Sequence, residues 1–329
     1  MCIGRFSPLP RLVICLTQGG NINEKRGSER VPRIGILSPA TESGMKDWWR
    51  ELTLGLNALG YVEGSNIELV WRFADGRFER LSDLAAELAK LDVDIMMPAT
   101  PPAILAARSA SNKIPIVFPR GSDPVETGLV SSLERPGGNI TGMATMSWRQ
   151  SRPRLALVRE LMPNAQCVAL IRHSANAALE LQVRESRLAA RDLGFDLLVL
   201  EFSVAEEIER AFAMAGERGV AALMPLSDPM ALDNANNIAK LSMQHRIPVI
   251  SPFQEITKAG GVLGYGPDLS MLFRRSATMV DQILKGTKPS EIAIGEPQKF
   301  ELSINLISSR ALNLTIPDSL ISRATCLIQ

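Results

Sequence analysis

From Arg33 onward, short apolar runs alternate with longer amphipathic stretches. Arg33-Ile34-Gly35-Ile36-Leu37-Ser38 reads as a buried strand that ends in a Ser-Pro turn. Over 45–59 the spacing of Trp48, Leu52, Leu56 and Leu59 predicts a helix with Gly60 as its stop. A strand follows at 66–73, then a helix over 78–91 with Leu81, Leu84, Ala85 and Leu88 on one face. Strands at 94–100 and 114–119 flank a helix over 102–111.

The alternation then starts again. Strands are predicted at 166–173, 196–202, 220–226 and 247–252, with helices over 177–193, 205–217 and 233–245 between them. Strands that alternate with helices of this length imply parallel sheets covered on both faces. Two successive series imply an α/β protein of two doubly wound lobes joined by a hinge, and a (β/α)₈ barrel is the competing arrangement. The stretch Arg135-Pro136-Gly137-Gly138-Asn139-Ile140-Thr141-Gly142 breaks the pattern where the chain would pass between lobes. Gly260-Gly261-Val262-Leu263-Gly264-Tyr265-Gly266-Pro267 marks a second crossover. Lobe one is thus expected to hold 33–145 and about 262–292. Lobe two is expected to hold 146–261 and about 293–325, with a last strand at 300–306.

Composition narrows the classes. With 329 residues the chain is long enough for two lobes, and 46% hydrophobic against 22% charged residues is an ordinary globular balance. A net charge of +1 gives no basic excess for nucleic acid, so none is expected as a partner. Cys2, Cys15, Cys167 and Cys326 form no CxxC pair, and neither a zinc site nor a disulfide framework is expected. Cys167 reads as a buried core residue and Cys326 as part of a fraying end. The apolar stretch at 12–16 is too short for a signal peptide and residues 18–30 are polar and rich in Gly and Asn, so residues 1–32 read as a disordered or vestigial leader.

Ligands of open α/β sheets bind outside the carboxyl ends of the strands. In the first series those ends carry Ser38 and Thr41, Thr100 and Pro101, then Arg120, Ser122 and Asp123. In the second they carry His173 and Asn176, Asp228, and Phe253. Each group is a small polar residue beside a helix start. Such residues cap helices, and they also leave free N–H groups at a cleft, so both readings stay open.

Several strings resemble one family. They are Leu59-Gly60-Tyr61-Val62-Glu63-Gly64-Ser65-Asn66-Ile67, the stretch 77–91, Thr100-Pro101-Pro102-Ala103 and Asp123-Pro124-Val125-Glu126-Thr127-Gly128-Leu129-Val130. The Pro-Gly-Gly-Asn-Ile-Thr-Gly string at 136–142, Tyr265-Gly266-Pro267 and Ile283-Leu284-Lys285-Gly286-Thr287-Lys288-Pro289 complete the set. From about Arg33 to the C-terminus the chain is similar to ABC-transporter substrate-binding proteins of the tryptophan/tyrosine-binding type. That resemblance implies a type I periplasmic-binding fold, periplasmic location, a cognate membrane permease as partner, a monomer, and no cofactor. It also implies that the strand-end residues named above face one cleft, with Tyr265 near the hinge. Three positions depart from the family pattern: Arg120 where a small residue is usual, His173 where Asn is common, and Asp268 after Tyr-Gly-Pro. Arg120 is suited to a solute carboxylate by its planar fork. Phe253, Tyr265 and Phe118 would supply an apolar side. Asp228 is expected to meet an ammonium group, and Asp123 to cap the segment from Pro124.

The chain contains no GxGxxG, GxxxxGK[ST], HExxH or GxSxG string, and its only histidines are His173 and His245. No enzyme is expected. The alternatives are a ligand-sensing regulatory core, for which the residues before Arg33 lack a helix-turn-helix pattern, and a small-molecule enzyme on the same fold.

Overall fold

The computed structural model describes residues 30–329, so the expected leader lies, but for its last three residues, outside the described residues. The first lobe begins with β1 (Arg33–Ser38), α1 (Glu42–Ala58), β2 (Glu68–Phe73), α2 (Leu81–Lys90) and β3 (Ile95–Pro98). It continues through α3 (Pro101–Ala110), β4 (Ile116–Gly121) and β5 (Ile140–Ala144). Its sheet is parallel, in the order β2-β1-β3-β4-β5. Side chains of β1 alternate as a strand covered on both faces requires. Ile34 and Ile36 pack into the layer of α1, while Leu37 joins Leu84 and Leu88 of α2 on the other side.

The second lobe runs through α4 (Ser151–Leu161), β6 (Cys167–His173), α5 (Glu180–Asp192), β7 (Asp196–Phe202), α6 (Glu207–Glu217) and β8 (Ala222–Pro225). Then come α7 (Pro229–Asp233), α8 (Ala235–His245), β9 (Ile250–Ser251), α9 (Gln254–Ala259) and β10 (Leu263–Pro267). After α10 (Leu269–Leu284) the chain closes with β11 (Phe300–Asn305), α11 (Leu306–Ala311), α12 (Asp318–Ile321) and β12 (Cys326–Ile328). Strands β7-β6-β8 and β9-β10-β11-β12 form two ladders, joined by a parallel bridge between Leu223 and Val249. Among the described residues only the β10–β11 pair is antiparallel. Val168 and Leu170 face α4 and α5, and Ala169 and Ile171 face Phe212 of α6 and Ile238 of α8. Two open sheets exclude the closed barrel.

The sequence pattern misplaced one boundary. Strand β10, expected in lobe one from about 262, pairs with β9 and β11 of the second sheet. The return to the first lobe comes after Pro267, where α10 packs against α1, β4 and β5. Its extension stays there: Gly295 accepts from Ala144 N–H at 2.8 Å, and its own N–H donates to Gly142 O at 2.8 Å. The crossover falls at the end of the string 260–267 rather than before it, and Gly264 and Gly266 pack closely within the second lobe. β5 was hidden inside the Gly/Pro-rich string, and β12 lies where a fraying end was expected. Cys326 opens β12 and pairs with Ser303, and Cys167 is half-buried, not fully buried.

Arg154 of α4 ties two of the connections together. Its Nη2 donates to Ser147 O at 2.9 Å, just after β5, and its Nη1 to Tyr265 O at 3.3 Å, in β10. Burial lowers its pKa to about 9. Backbone carbonyls, whose dipoles suit a guanidinium, stand in for a carboxylate.

Candidate functional site

The carboxyl ends of β3, β4 and β5 face those of β6, β8 and β9 across a narrow cleft. From the first lobe it is lined by Pro101, Arg120, Ser122, Thr145 and Ser147. From the second come Asn176, Ala178, Gln182, Ser227 and Phe253. The lobes are drawn together: Ser122 Oγ donates to Ala178 O at 3.5 Å, and Phe78 stacks on His173 with ring centroids 4.8 Å apart. Arg184 and Glu126 pair across the rim at 3.2 Å. Between the walls about 10 Å³ admits the centre of a water-sized sphere, space for roughly one water.

Arg120 dominates this space. It sits near the end of β4, where the register with β5 shifts between Phe118 and Gly121 and re-aims the strand end. Its guanidinium carbon lies 5.8 Å from the Trp48 ring centre and 5.7 Å from that of Phe253. Ser251 Oγ accepts the N–H of Phe253 at 2.9 Å and so fixes that residue at the end of β9. Arg120 is only 4% exposed, yet neither Nη1 nor Nη2 has a hydrogen-bond partner within the protein. Burial pulls its pKa below the ordinary arginine value, and the charges of Asp228, Asp233 and Glu255 oppose the shift. Contact with the ring faces offsets part of the desolvation, but leaves the donor fork unspent.

The expected site residues divide. Arg120, Ser122, Asn176, Phe253 and Pro101 line the cleft. Thr100, fully buried beside Pro101, caps α3 through its backbone and leaves its hydroxyl unpartnered. Ser38 Oγ is engaged by Ala40 N–H at 3.2 Å, and Thr41 is exposed. His173 is held between Phe78 and Phe202, with Nε2 3.1 Å from Ser203 O. Tyr265 lies away from the cleft, against Phe300 and Leu157 on another face of the second lobe. Phe118 is packed in the first lobe's core.

The two aspartates behave unlike one another. Asp123 Oδ1 accepts from the N–H groups of Val125 and Glu126 at 3.0 and 3.1 Å, and Oδ2 from the indole N–H of Trp148 at 2.9 Å. It pins the turn after β4 to the residues after β5. Asp123→Asn is therefore expected to lower unfolding stability by about 1–3 kcal/mol in a urea titration while changing solute affinity little. A large affinity loss at unchanged stability would show that Asp123 acts on the solute. Asp228 stands behind the cleft wall: Oδ1 caps α7 through Met230 N–H at 2.8 Å, and Oδ2 accepts from Asn176 Nδ2 at 2.7 Å. Burial raises its pKa, and the Asn176 bond is the largest opposing effect. Each Asp228 oxygen thus accepts one hydrogen bond within the protein, and the bond from Nδ2 orients Asn176.

Sequence reading missed Trp48, Gln182, Ser227, Thr145 and Ser147. The last two follow β5 and obey the strand-end rule, so recognising that strand would have found them. Trp48 belongs to the apolar stripe of α1, where a core residue and a cleft platform look alike. Gln182 sits inside α5 and accepts from Ser227 N–H at 3.2 Å, a contact with no local sequence signal.

A family model described as ABC transporter substrate binding protein matches residues 33–328. The chain belongs to that family. The tyrosine-binding protein of Clostridioides difficile (strain R20291) is 24% identical over 299 residues, covering 91% of this chain and 86% of that protein. A conserved domain protein from Vibrio cholerae shares the fold at TM-score 0.86 and 24% identity, covering 91% of this chain and all of that one. An ABC domain from Streptococcus pneumoniae in complex with L-Trp does so at TM-score 0.85 and 21% identity, with the same coverage. The two-lobed architecture is that of type I periplasmic binding proteins. As a member of that family the chain is a substrate-binding protein of the ABC transporter type. Among the described residues no helix is long and apolar enough to cross a membrane.

Proposed function

We propose that this substrate-binding protein captures an amino acid or related amphipathic carboxylate by closing its lobes, and passes it to a cognate ABC permease. It works in the periplasm, as a monomer, and catalyses no reaction. The observation that carries the solute class is the Arg120 guanidinium, buried between Trp48 and Phe253 with both terminal nitrogens unspent. A carboxylate is the planar acceptor that fits such a fork, and the flanking rings suit an apolar side chain. Among the similar proteins, one is named a tyrosine-binding protein, one is in complex with L-Trp, and a more distant one is in complex with benzoate. Against catalysis, His173 stacks on Phe78 with Nε2 at the Ser203 carbonyl, and His245 closes α8, so neither is hydrogen-bonded to a cleft hydroxyl as an activated nucleophile requires.

A thermal-shift screen of the amino acids and small aromatic carboxylates tests the reading. A solute at 100-fold its dissociation constant is expected to stabilise the protein by about 2.7 kcal/mol. If no amino acid or carboxylate raises the melting temperature, the solute class is wrong.

A further inference from the structure

We infer that the Ser227 hydroxyl of the second lobe donates to the same solute carboxylate that the Arg120 guanidinium of the first lobe receives. The inference rests on the amino-acid reading above and assigns the opposite wall of that subsite.

Both residues line the one narrow cleft, Arg120 near the end of β4 and Ser227 just after β8. Of the described residues that line it, these two alone carry buried side-chain polar atoms without a hydrogen-bond partner in the protein: Nη1 and Nη2 of Arg120, and Oγ of Ser227. The other cleft hydroxyls are spent inside the protein. Ser122 Oγ donates to Ala178 O at 3.5 Å, Thr145 Oγ1 to Gly121 O at 2.9 Å, and Ser147 Oγ to Thr145 Oγ1 at 2.9 Å. Ser227 itself is held by its backbone, whose N–H donates to Gln182 Oε1 at 3.2 Å, so its position is fixed while its hydroxyl stays unspent.

The space between the walls takes roughly one water, which is the size of one oxygen atom. Donors that lack an acceptor, one set from each lobe, fit a carboxylate oxygen there. Such an oxygen has lone pairs for both the guanidinium and the hydroxyl. An ammonium group has none, and it would face Arg120 as a like charge. With the oxygen bonded from both lobes, neither donor stays desolvated without a partner when the cleft closes. Room for the rest of the solute adjoins. Pro101 and Ala178 also line a second space between the lobes, of about 440 Å³, whose apolar walls include Leu105, Leu129 and Leu181.

Calorimetry on the full chain with L-tyrosine and with 3-(4-hydroxyphenyl)propionate, which lacks the amine, tests the assignment beside a urea titration of the ligand-free protein. Ser227→Ala is expected to weaken both solutes about tenfold. It should not lower the urea midpoint, because the hydroxyl has no bond within the protein to lose. L-tyrosine affinity within about twofold of the unaltered protein's overturns the inference and leaves the amino-acid reading standing. A loss for L-tyrosine that the propionate does not share puts the hydroxyl at the ammonium group and also overturns it. So does weaker binding with a lowered midpoint, since the hydroxyl would then be structural. If the unaltered protein binds neither solute, the reading and the inference fall together.

Discussion

Arg120→Met is expected to bind L-tyrosine at least tenfold more weakly and yet to close more readily without it. Tenfold corresponds to about 1.4 kcal/mol, at the low end of the roughly 1.5–3 kcal/mol that a hydrogen bond to a charged group contributes. The second half follows from the same buried fork. In the closed arrangement Arg120 is 4% exposed with both terminal nitrogens unpartnered, so closure without solute strips water from a cation and returns no hydrogen bond. A solute carboxylate removes that penalty. This is a differential interaction with the closed state, the only kind that can shift an opening equilibrium. Methionine keeps the contact with Trp48 and Phe253 and lacks the charge, so the penalty disappears along with the binding. Calorimetry reads the first effect, and small-angle scattering of the ligand-free protein reads the second as a smaller radius of gyration. Undiminished affinity would assign Arg120 to structure alone, and the solute class would then rest on the relatives.

Gly266→Ala is expected to destabilise the protein by about 3 kcal/mol, while Gly216→Ala stabilises it by up to about 1 kcal/mol. A Cβ at Gly266 would stand 1.9 Å from Pro252 O and 2.9 Å from Pro252 C, both backbone atoms that no rotamer change can move. Relief requires β10 to separate from the segment that carries Phe253 into the cleft, which is overpacking at its most costly. At Gly216, inside α6, an added Cβ meets nothing within 4 Å. There alanine gains helix propensity and reduces the freedom of the unfolded chain. Urea titrations of the two variants, with unchanged slopes, compare one chemical substitution with opposite signs. Equal effects would mean that backbone clearance at Gly266 is not what the Tyr265-Gly266-Pro267 string preserves.

The sequence by itself determined the two βα series, and with them the fold class and the rule for where a ligand sits. Hydrophobic periodicity is a local property, and a strand buried on both faces has no choice but to be apolar throughout. The strand-end rule therefore reached Arg120, Ser122, Asn176 and Phe253 without any coordinates. Where local signals have two meanings, it went astray. The glycines around Tyr265 read equally well as a crossover or as close backbone packing, and only the pairing of β10 with β9 and β11 decided between them. An aspartate before a helix is written the same way whether its oxygens face a ligand or, like those of Asp228, are engaged by a neighbour 52 residues away and a cap. Tertiary structure alone brought Trp48 of α1 against the Arg120 guanidinium at the end of β4. Nothing in a chain's local pattern records which distant side chain leaves a buried hydrogen-bonding group unsatisfied, because satisfaction is a property of contacts made across the folded molecule.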